Sequence, residues 1–206
     1  MSVLVHIHET YVYNRRIRRL TELLAQLIPP RCNLLEVGCG DGKLARALLD
    51  KRPDLHIEGV DILVRDRVWL PVQVFDGRSL PHGESSVDGV MLIDVLHHTR
   101  DPLALLREAL RVSRRWLIVK DHILKGHAAA SRLRFMDYVG NSRYGVALPY
   151  NYLSEGEWNE LRRILDVKVA AEVRKLSLYP QPFDYVFGAD LHFVALWDHL
   201  VRQNAA

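Results

Sequence analysis

Apolar positions recur along the chain first at helical spacing and then as short strand-like runs. Ile17, Leu20, Leu24, Leu27 and Ile28 fall on one side of a helix over Asn14–Ile28, which Pro29–Pro30 ends. Asn33–Val37 is a short apolar run that breaks into a glycine-rich turn. Lys43–Lys51 then reads as a helix with Leu44, Ala47 and Leu48 on one face. His56–Ile62 and Val72–Phe75 read as strands. Asp88–Ile93 is a third, nearly all apolar, as a strand covered on both faces should be. Asp101 caps a helix with Pro102 at its first position, running to Val112 with Leu103, Leu106 and Leu110 predicted to face inward. Trp116–Val119 is the next strand. Strands alternating with helices predict an α/β fold with a mostly parallel sheet.

Beyond that point the rhythm changes. Ile123–Tyr152 is weakly periodic and rich in arginine and aromatic residues, Arg134, Phe135, Tyr138, Tyr144, Tyr150 and Tyr152 among them. Ser154 with Glu157 three residues on is a capping-box pattern that starts a helix to Leu165. Two strands close the pattern, Val167–Tyr179 and Leu191–Trp197. The loop between them holds Pro180 and Pro182 and shows no helix pattern. A pair joined without a crossover helix is predicted to be antiparallel.

Composition narrows the class. The chain has 206 residues, 49% hydrophobic and 26% charged, which suits one globular domain over 1–206 and excludes a disordered chain, a collagen-like repeat and a disulfide scaffold. Its longest apolar stretches, such as Gly89–Ile93, fall far short of the ~20 residues a membrane span needs. Met1–Tyr11 contains His6, His8 and Glu9 and no apolar signal region, so a cytoplasmic location is expected. Cys32 and Cys39 flank one predicted strand and read as reduced thiols. A formal net charge of +3 is too small to imply a nucleic-acid partner. Arg15, Arg16, Arg18 and Arg19 read as the solvated face of the first helix.

The most informative segment is Leu35-Glu36-Val37-Gly38-Cys39-Gly40-Asp41-Gly42, between the first strand of the alternating part and its helix. In a doubly wound sheet, ligands bind beyond the carboxyl ends of the strands. Glycines there let the backbone come close to a ligand, and the helix start behind them offers unpaired N–H groups. The spacing is GxGxG. A dinucleotide fingerprint wants its third glycine where this chain has Lys43, and no Walker loop is present. Asp61 ends the second strand, where a carboxylate can accept from both hydroxyls of a ribose. Asp76 ends the third strand. It suits an exocyclic adenine amine, or it caps a turn with Gly77.

On these residues the sequence resembles the class I S-adenosylmethionine-dependent methyltransferases, and within them the type 11 group. Glu36 to Gly42 match the first motif, Asp61 the ribose acid and Asp76 the adenine-side acid. Leu80-Pro81 through Ser86-Val87-Asp88-Gly89-Val90 looks like the approach to strand four, and Asp94-Val95-Leu96-His97-His98 like the motif after it. Ser113-Arg114-Arg115 stands where the group often has a Gly-Gly turn. The resemblance implies a doubly wound, seven-stranded, mostly parallel sheet with an antiparallel last strand, the Rossmann-like methyltransferase fold. It implies S-adenosyl-L-methionine as donor and S-adenosyl-L-homocysteine as product. It places Glu36, Gly38, Cys39, Gly40, Gly42, Asp61, Ile62, Asp76, Gly77 and Asp94 around that donor.

A base is needed only where the acceptor is protonated, and candidates must lie at the tips of strands four and five. Those are His98 and, after the fifth strand, Asp121 and His122, with Asp94 and His97 beside them. His97 and His98 also read as loop residues bonded to backbone. No catalytic metal is expected, because neighbours on a strand point to opposite faces and Asp121 and His122 should not converge. His6-x-His8 reads as a terminal segment lying over the cleft or mobile, within an N-terminal helical segment spanning 1–30. The stretch 123–152 is the expected acceptor wall, and its mixture of apolar bulk and polar tips suits a small organic molecule. A membrane or nucleic-acid partner is not expected, and monomer and homodimer stay open. Two other readings remain: an RNA or protein methyltransferase docking through Arg15–Arg19, and a non-catalytic donor-binding partner protein. A nicotinamide oxidoreductase is disfavoured by the third glycine's position.

Overall fold

A computed structural model describes residues 12–126, 128–141, 149–188 and 190–199. His6, His8 and Tyr144 lie outside these residues. The elements in chain order are α1 (Asn14–Leu27), β1 (Asn33–Val37), α2 (Lys43–Lys51), β2 (His56–Asp61), β3 (Val72–Val74), β4 (Val87–Ile93), α3 (Pro102–Val112), β5 (Ser113–His122), α4 (Ala129–Asn141), α5 (Glu155–Leu165), β6 (Lys168–Val173) and β7 (His192–Asp198). A 3-10 turn, Leu96–His98, follows β4.

The seven strands form one sheet in the order β3-β2-β1-β4-β5-β7-β6. All pairs from β3 to β5 are parallel, and β7 runs antiparallel to both its neighbours. Strand order reverses between β1 and β4, so the turn after β1 opens at the crevice where such sheets take ligands. Alternation along the central strands supplies a core on each face. Leu35, Val90, Leu92, Leu117, Val119 and Ala195 pack with α3 and α5 through Leu106, Ala109 and Trp158. Leu34, Met91, Ile118 and Val194 pack with α1 and α2 through Leu20, Leu24 and Leu48. A third, small cluster of Ala129, Leu133, Tyr152 and Leu191 stands apart from both.

Local chemistry explains most boundaries. Asp101 accepts from the Ala104 N–H at 2.9 Å and starts α3. Ser154 and Glu157 make the reciprocal capping box that starts α5. Four expectations need correction. The buried face of α3 is Leu105, Leu106, Ala109 and Val112, and Leu103 is only half-buried. The fifth strand extends from Ser113 to His122, beyond Trp116–Val119, because the polar residues at its tip are buried against one another. The sixth strand stops at Val173. Leu176 and Leu178 leave the sheet yet stay buried beside α1, which kept the apolar pattern going. The proline-containing loop carries a short π-helical turn, Asp184–Gly188.

Candidate active site

The turn after β1, where the donor is expected, lies at the rim of strand tips. Gly38, Gly40 and Gly42 all have positive φ, at 69°, 60° and 73°, a region costly for any residue with a Cβ. The Gly38 and Cys39 N–H groups both donate to the Val60 carbonyl, at 2.8 and 3.2 Å. Gly40 N–H donates to Asp61 Oδ2 at 2.8 Å, and Leu63 N–H donates to Asp61 Oδ1 at 3.0 Å. The buried Asp61 thus ties the turn to the tip of β2. A Cβ on Gly40 would meet no atom within 4 Å, so the backbone there faces open space.

Glu36 lies beneath this turn and is 3% exposed. Its Oε2 is buried and has no hydrogen-bond partner among the described residues. Burial, with Asp41 and Asp61 nearby, pushes its carboxyl up to about 8. An unsatisfied buried carboxyl oxygen beside an open glycine is what an ammonium group would satisfy, so these residues fit the amino-acid end of S-adenosylmethionine. Asp76 is exposed and accepts from the Arg78 and Ser79 N–H groups, both at 2.7 Å through Oδ1, so it caps the turn containing Gly77. Ile62, 49% exposed, packs close to Gly77 on the same rim.

Asp94 follows β4 in a left-handed conformation, φ 57°. Its carboxylate pairs with Arg16 of α1 through Oδ2 and with the buried Lys120 of β5 through Oδ1. Burial would raise Asp94, but Lys120 and Arg16 hold it well below the usual carboxylate range. Arg16 therefore does not belong to a solvated face as its helix spacing implied. It is the one member of the Arg15–Arg19 group that crosses to the tip of β4.

A buried polar cluster lies at the tips of β4 and β5, where the base candidates are expected. His97 Nδ1 lies 2.6 Å from Asp121 Oδ1 and 3.3 Å from His122 Nδ1. His97 Nε2 lies 3.5 Å from Asp137 Oδ1 on α4, and the Tyr152 hydroxyl donates to Asp137 Oδ2. Leu96 N–H donates to Asp121 Oδ2 at 3.1 Å. Burial lowers the His97 imidazole, and the carboxylates of Asp121 and Asp137 more than offset this, raising it to about 10. The His98 ring lies against His97 at a tilt of 47°, centroids 4.0 Å apart, and burial together with His97 lowers it to about 4. Of His97, His98 and His122, only His98 is not buried.

Strand alternation did not keep Asp121 and His122 apart. The Asp121 carboxylate turns back along the strand to accept the His122 N–H at 2.7 Å, and its Oδ1 stands 3.2 Å from His122 Nδ1. The structure thus gathers Asp94, His97, Asp121 and His122, with ligand-type atoms all within 4.8 Å of one another. Sequence reasoning placed His98, Asp121 and His122 at this end. It missed the parts played by Arg16, Lys120, Asp137, Tyr152 and His192. Only Lys120 gave a signal, a charge directly following an apolar strand. The 123–152 stretch meets this end through the Asn151 N–H, which donates to the His97 carbonyl at 3.2 Å.

Comparison with known proteins agrees with this fold. The profile of a methyltransferase domain family matches residues 8–163, so the chain belongs to that family, and its class is the S-adenosylmethionine-dependent class I methyltransferases. Within the class, a segment of 111 residues is 31% identical to the 27-O-demethylrifamycin SV methyltransferase of Amycolatopsis mediterranei (strain S699), covering 47% of this chain. The match spans only 40% of that relative's length. A chain in the complex between the Haloferax volcanii Trm112 methyltransferase activator and the putative methyltransferase superposes with a TM-score of 0.65 at 15% identity, covering 91% of this chain and 90% of its own. The [4+2]-cyclase SpnF superposes with a TM-score of 0.60 at 17% identity, covering 87% and 79%. At these identities the two structures share the fold alone. Among the described residues, no helix is long and apolar enough to cross a membrane.

Proposed function

We propose that this protein transfers a methyl group from S-adenosylmethionine to a small organic acceptor. The observation that carries the reading is the buried, unpartnered Glu36 oxygen under a glycine turn held to Asp61. The bound donor supplies a methyl group already activated on a sulfonium. Gly38, Cys39, Gly40 and Gly42 line its amino-acid end, and Glu36 receives the ammonium. Asp61 receives the ribose, and Ile62, Asp76 and Gly77 form the adenine rim. Asp94, fixed by Arg16 and Lys120, closes the side facing the acceptor. His98, the half-exposed imidazole, contacts the acceptor and takes its proton where it has one. Asp121 and His122 are buried and act by positioning the cluster beneath it.

Two features favour a small acceptor. The curated relative, by its name, methylates a rifamycin-type molecule. The arginine group offered for macromolecular docking is depleted, since Arg16 is turned to Asp94 and Arg19 pairs with Glu22. Positioning an acceptor against the donor can supply up to ~7–11 kcal/mol of the barrier reduction.

Calorimetric titration with S-adenosylmethionine tests the donor site. Binding should weaken at least tenfold in Asp61→Ala while the circular dichroism spectrum stays native. No binding by the parent, or equal binding by a folded Asp61→Ala, overturns the reading. Incubation with labelled donor and a metabolite extract should give a labelled small product, and His98→Gln should lower its rate without changing donor affinity. Label appearing only in RNA or protein would reject the small acceptor.

A further inference from the structure

We propose that Asp94, His97, Asp121 and His122 form a binding site for one divalent first-row transition metal ion, of which Zn²⁺ is the type. The donor set is two imidazole nitrogens and two carboxylate oxygens. Imidazole ligands favour zinc and its neighbours over magnesium or calcium, which take oxygen.

Spacing supports the set. Around a tetrahedral zinc, bonds of about 2.0–2.2 Å place ligand atoms about 3.3 Å apart. His97 Nδ1 and His122 Nδ1 are 3.3 Å apart, His122 Nδ1 and Asp121 Oδ1 are 3.2 Å apart, and His122 Nδ1 and Asp94 Oδ1 are 3.7 Å apart. The short edge is His97 Nδ1 to Asp121 Oδ1, at 2.6 Å, where a hydrogen bond now lies. The ion enters as that shared proton leaves to solvent, and this edge opens. With both rings presenting lone pairs, the two nitrogens at 3.3 Å can share one cation.

The surroundings are those of a supported ligand set. Metal-bound histidines usually hold a carboxylate on the far ring nitrogen. His97 Nε2 is buried, makes no hydrogen bond of its own, and faces Asp137 Oδ1 at 3.5 Å. Asp137 is fixed in turn by Tyr152, and Asp121 Oδ2 is fixed by the Leu96 N–H. The cluster sets three carboxylates, Asp94, Asp121 and Asp137, against Arg16, Lys120 and the His97 proton that the ion displaces. Lys120 shares Asp94 Oδ1 and also lies 3.3 Å from His192 Nδ1. Four protein ligands close a tetrahedral set, which marks the ion as structural. It would pin together the tip of β4, the 3-10 turn and the tip of β5.

The test uses the metal alone and leaves the proposed transferase activity to its own experiment. Other histidines could compete, namely His6-x-His8 and the surface group of His56 and His82 around Glu58. The parent is therefore the full chain with those four histidines changed to alanine, treated with chelator and titrated with Zn²⁺ by calorimetry and Co²⁺ by visible absorption. One ion per chain is expected, with the intense visible bands of tetrahedral Co²⁺. His122→Gln and Asp121→Asn should each weaken Zn²⁺ binding by a hundredfold or more. Asp137→Asn, which faces His97 Nε2 on the side away from the four ligands and is held by Tyr152, should weaken it by about 10–100-fold. No uptake by the parent, or equal affinity in the parent and a folded ligand variant, overturns the proposal. Should the ligand variants unfold, the parent's Co²⁺ spectrum and the Asp137→Asn titration decide. An octahedral spectrum or unchanged Asp137→Asn affinity is then the overturning result.

Discussion

With its carboxyl near 8, Glu36 carries a proton at neutral pH when no donor is bound. A donor ammonium would favour the charged form, so binding should expel that proton and donor affinity should rise as pH climbs toward 8. Folding has the opposite slope. Between about 4.5, the ordinary value, and about 8, the native state holds a proton that the unfolded chain has lost, so this group's contribution to stability falls as pH rises. Glu36→Gln should melt with the parent near pH 5 and above it near pH 8.5. Its donor affinity should be about 10–100-fold weaker and flat with pH, since a charge-assisted bond worth ~1.5–3 kcal/mol is gone. Paired melting curves and titrations across pH check both slopes, and a variant that melts in parallel with the parent would place the Glu36 proton elsewhere.

Between elements, β4 and β5 approach each other closely at Gly89. A Cβ on Gly89 would lie 2.3 Å from the Trp116 ring, which is itself 2% exposed and cannot move aside. Gly89→Ala should therefore cost ~1–3 kcal/mol through overpacking, read as a lower urea midpoint with an unchanged slope. An unaltered midpoint would mean that the ring yields. Such strands were legible in the sequence because each carries its signal locally: apolar runs in β1 and β4, a glycine turn after β1, caps at Asp101 and Ser154. The tip of β5 was not. Lys120, Asp121 and His122 look like loop residues until Asp94, His97 and Arg16 are brought to them from distant parts of the chain. The same holds for the Asp121–His122 pair, where a carboxylate folding back on its neighbour's N–H overrides strand alternation. For β6 the failure was the reverse, because Leu176 and Leu178 keep an apolar pattern going after the ladder has ended.

Across the whole molecule, each face of the sheet has its own core, and the polar chemistry is confined to one rim of strand tips. Apart from Asp94, the proposed donor residues fall within 36–77 at the ends of consecutive strands, which is why their motif reads so clearly. The polar cluster at the tips of β4 and β5 draws on α1, β4, β5, α4 and the residues after α4, so no single window of sequence displays it.

The small cluster of Ala129, Leu133, Tyr152 and Leu191 has a practical consequence. Because the apolar residues of helix α4 pack there and not in either principal core, its outward residues should tolerate replacement. Libraries that randomise its outward residues Arg134, Phe135 and Tyr138 while retaining Leu133 and Asp137 should redirect substrate choice and still melt within about 2 °C of the parent, as surface changes of within ~0.5 kcal/mol permit. Differential scanning fluorimetry of such a library would reveal a broad fall in melting temperature if the helix were instead wired into the main scaffold.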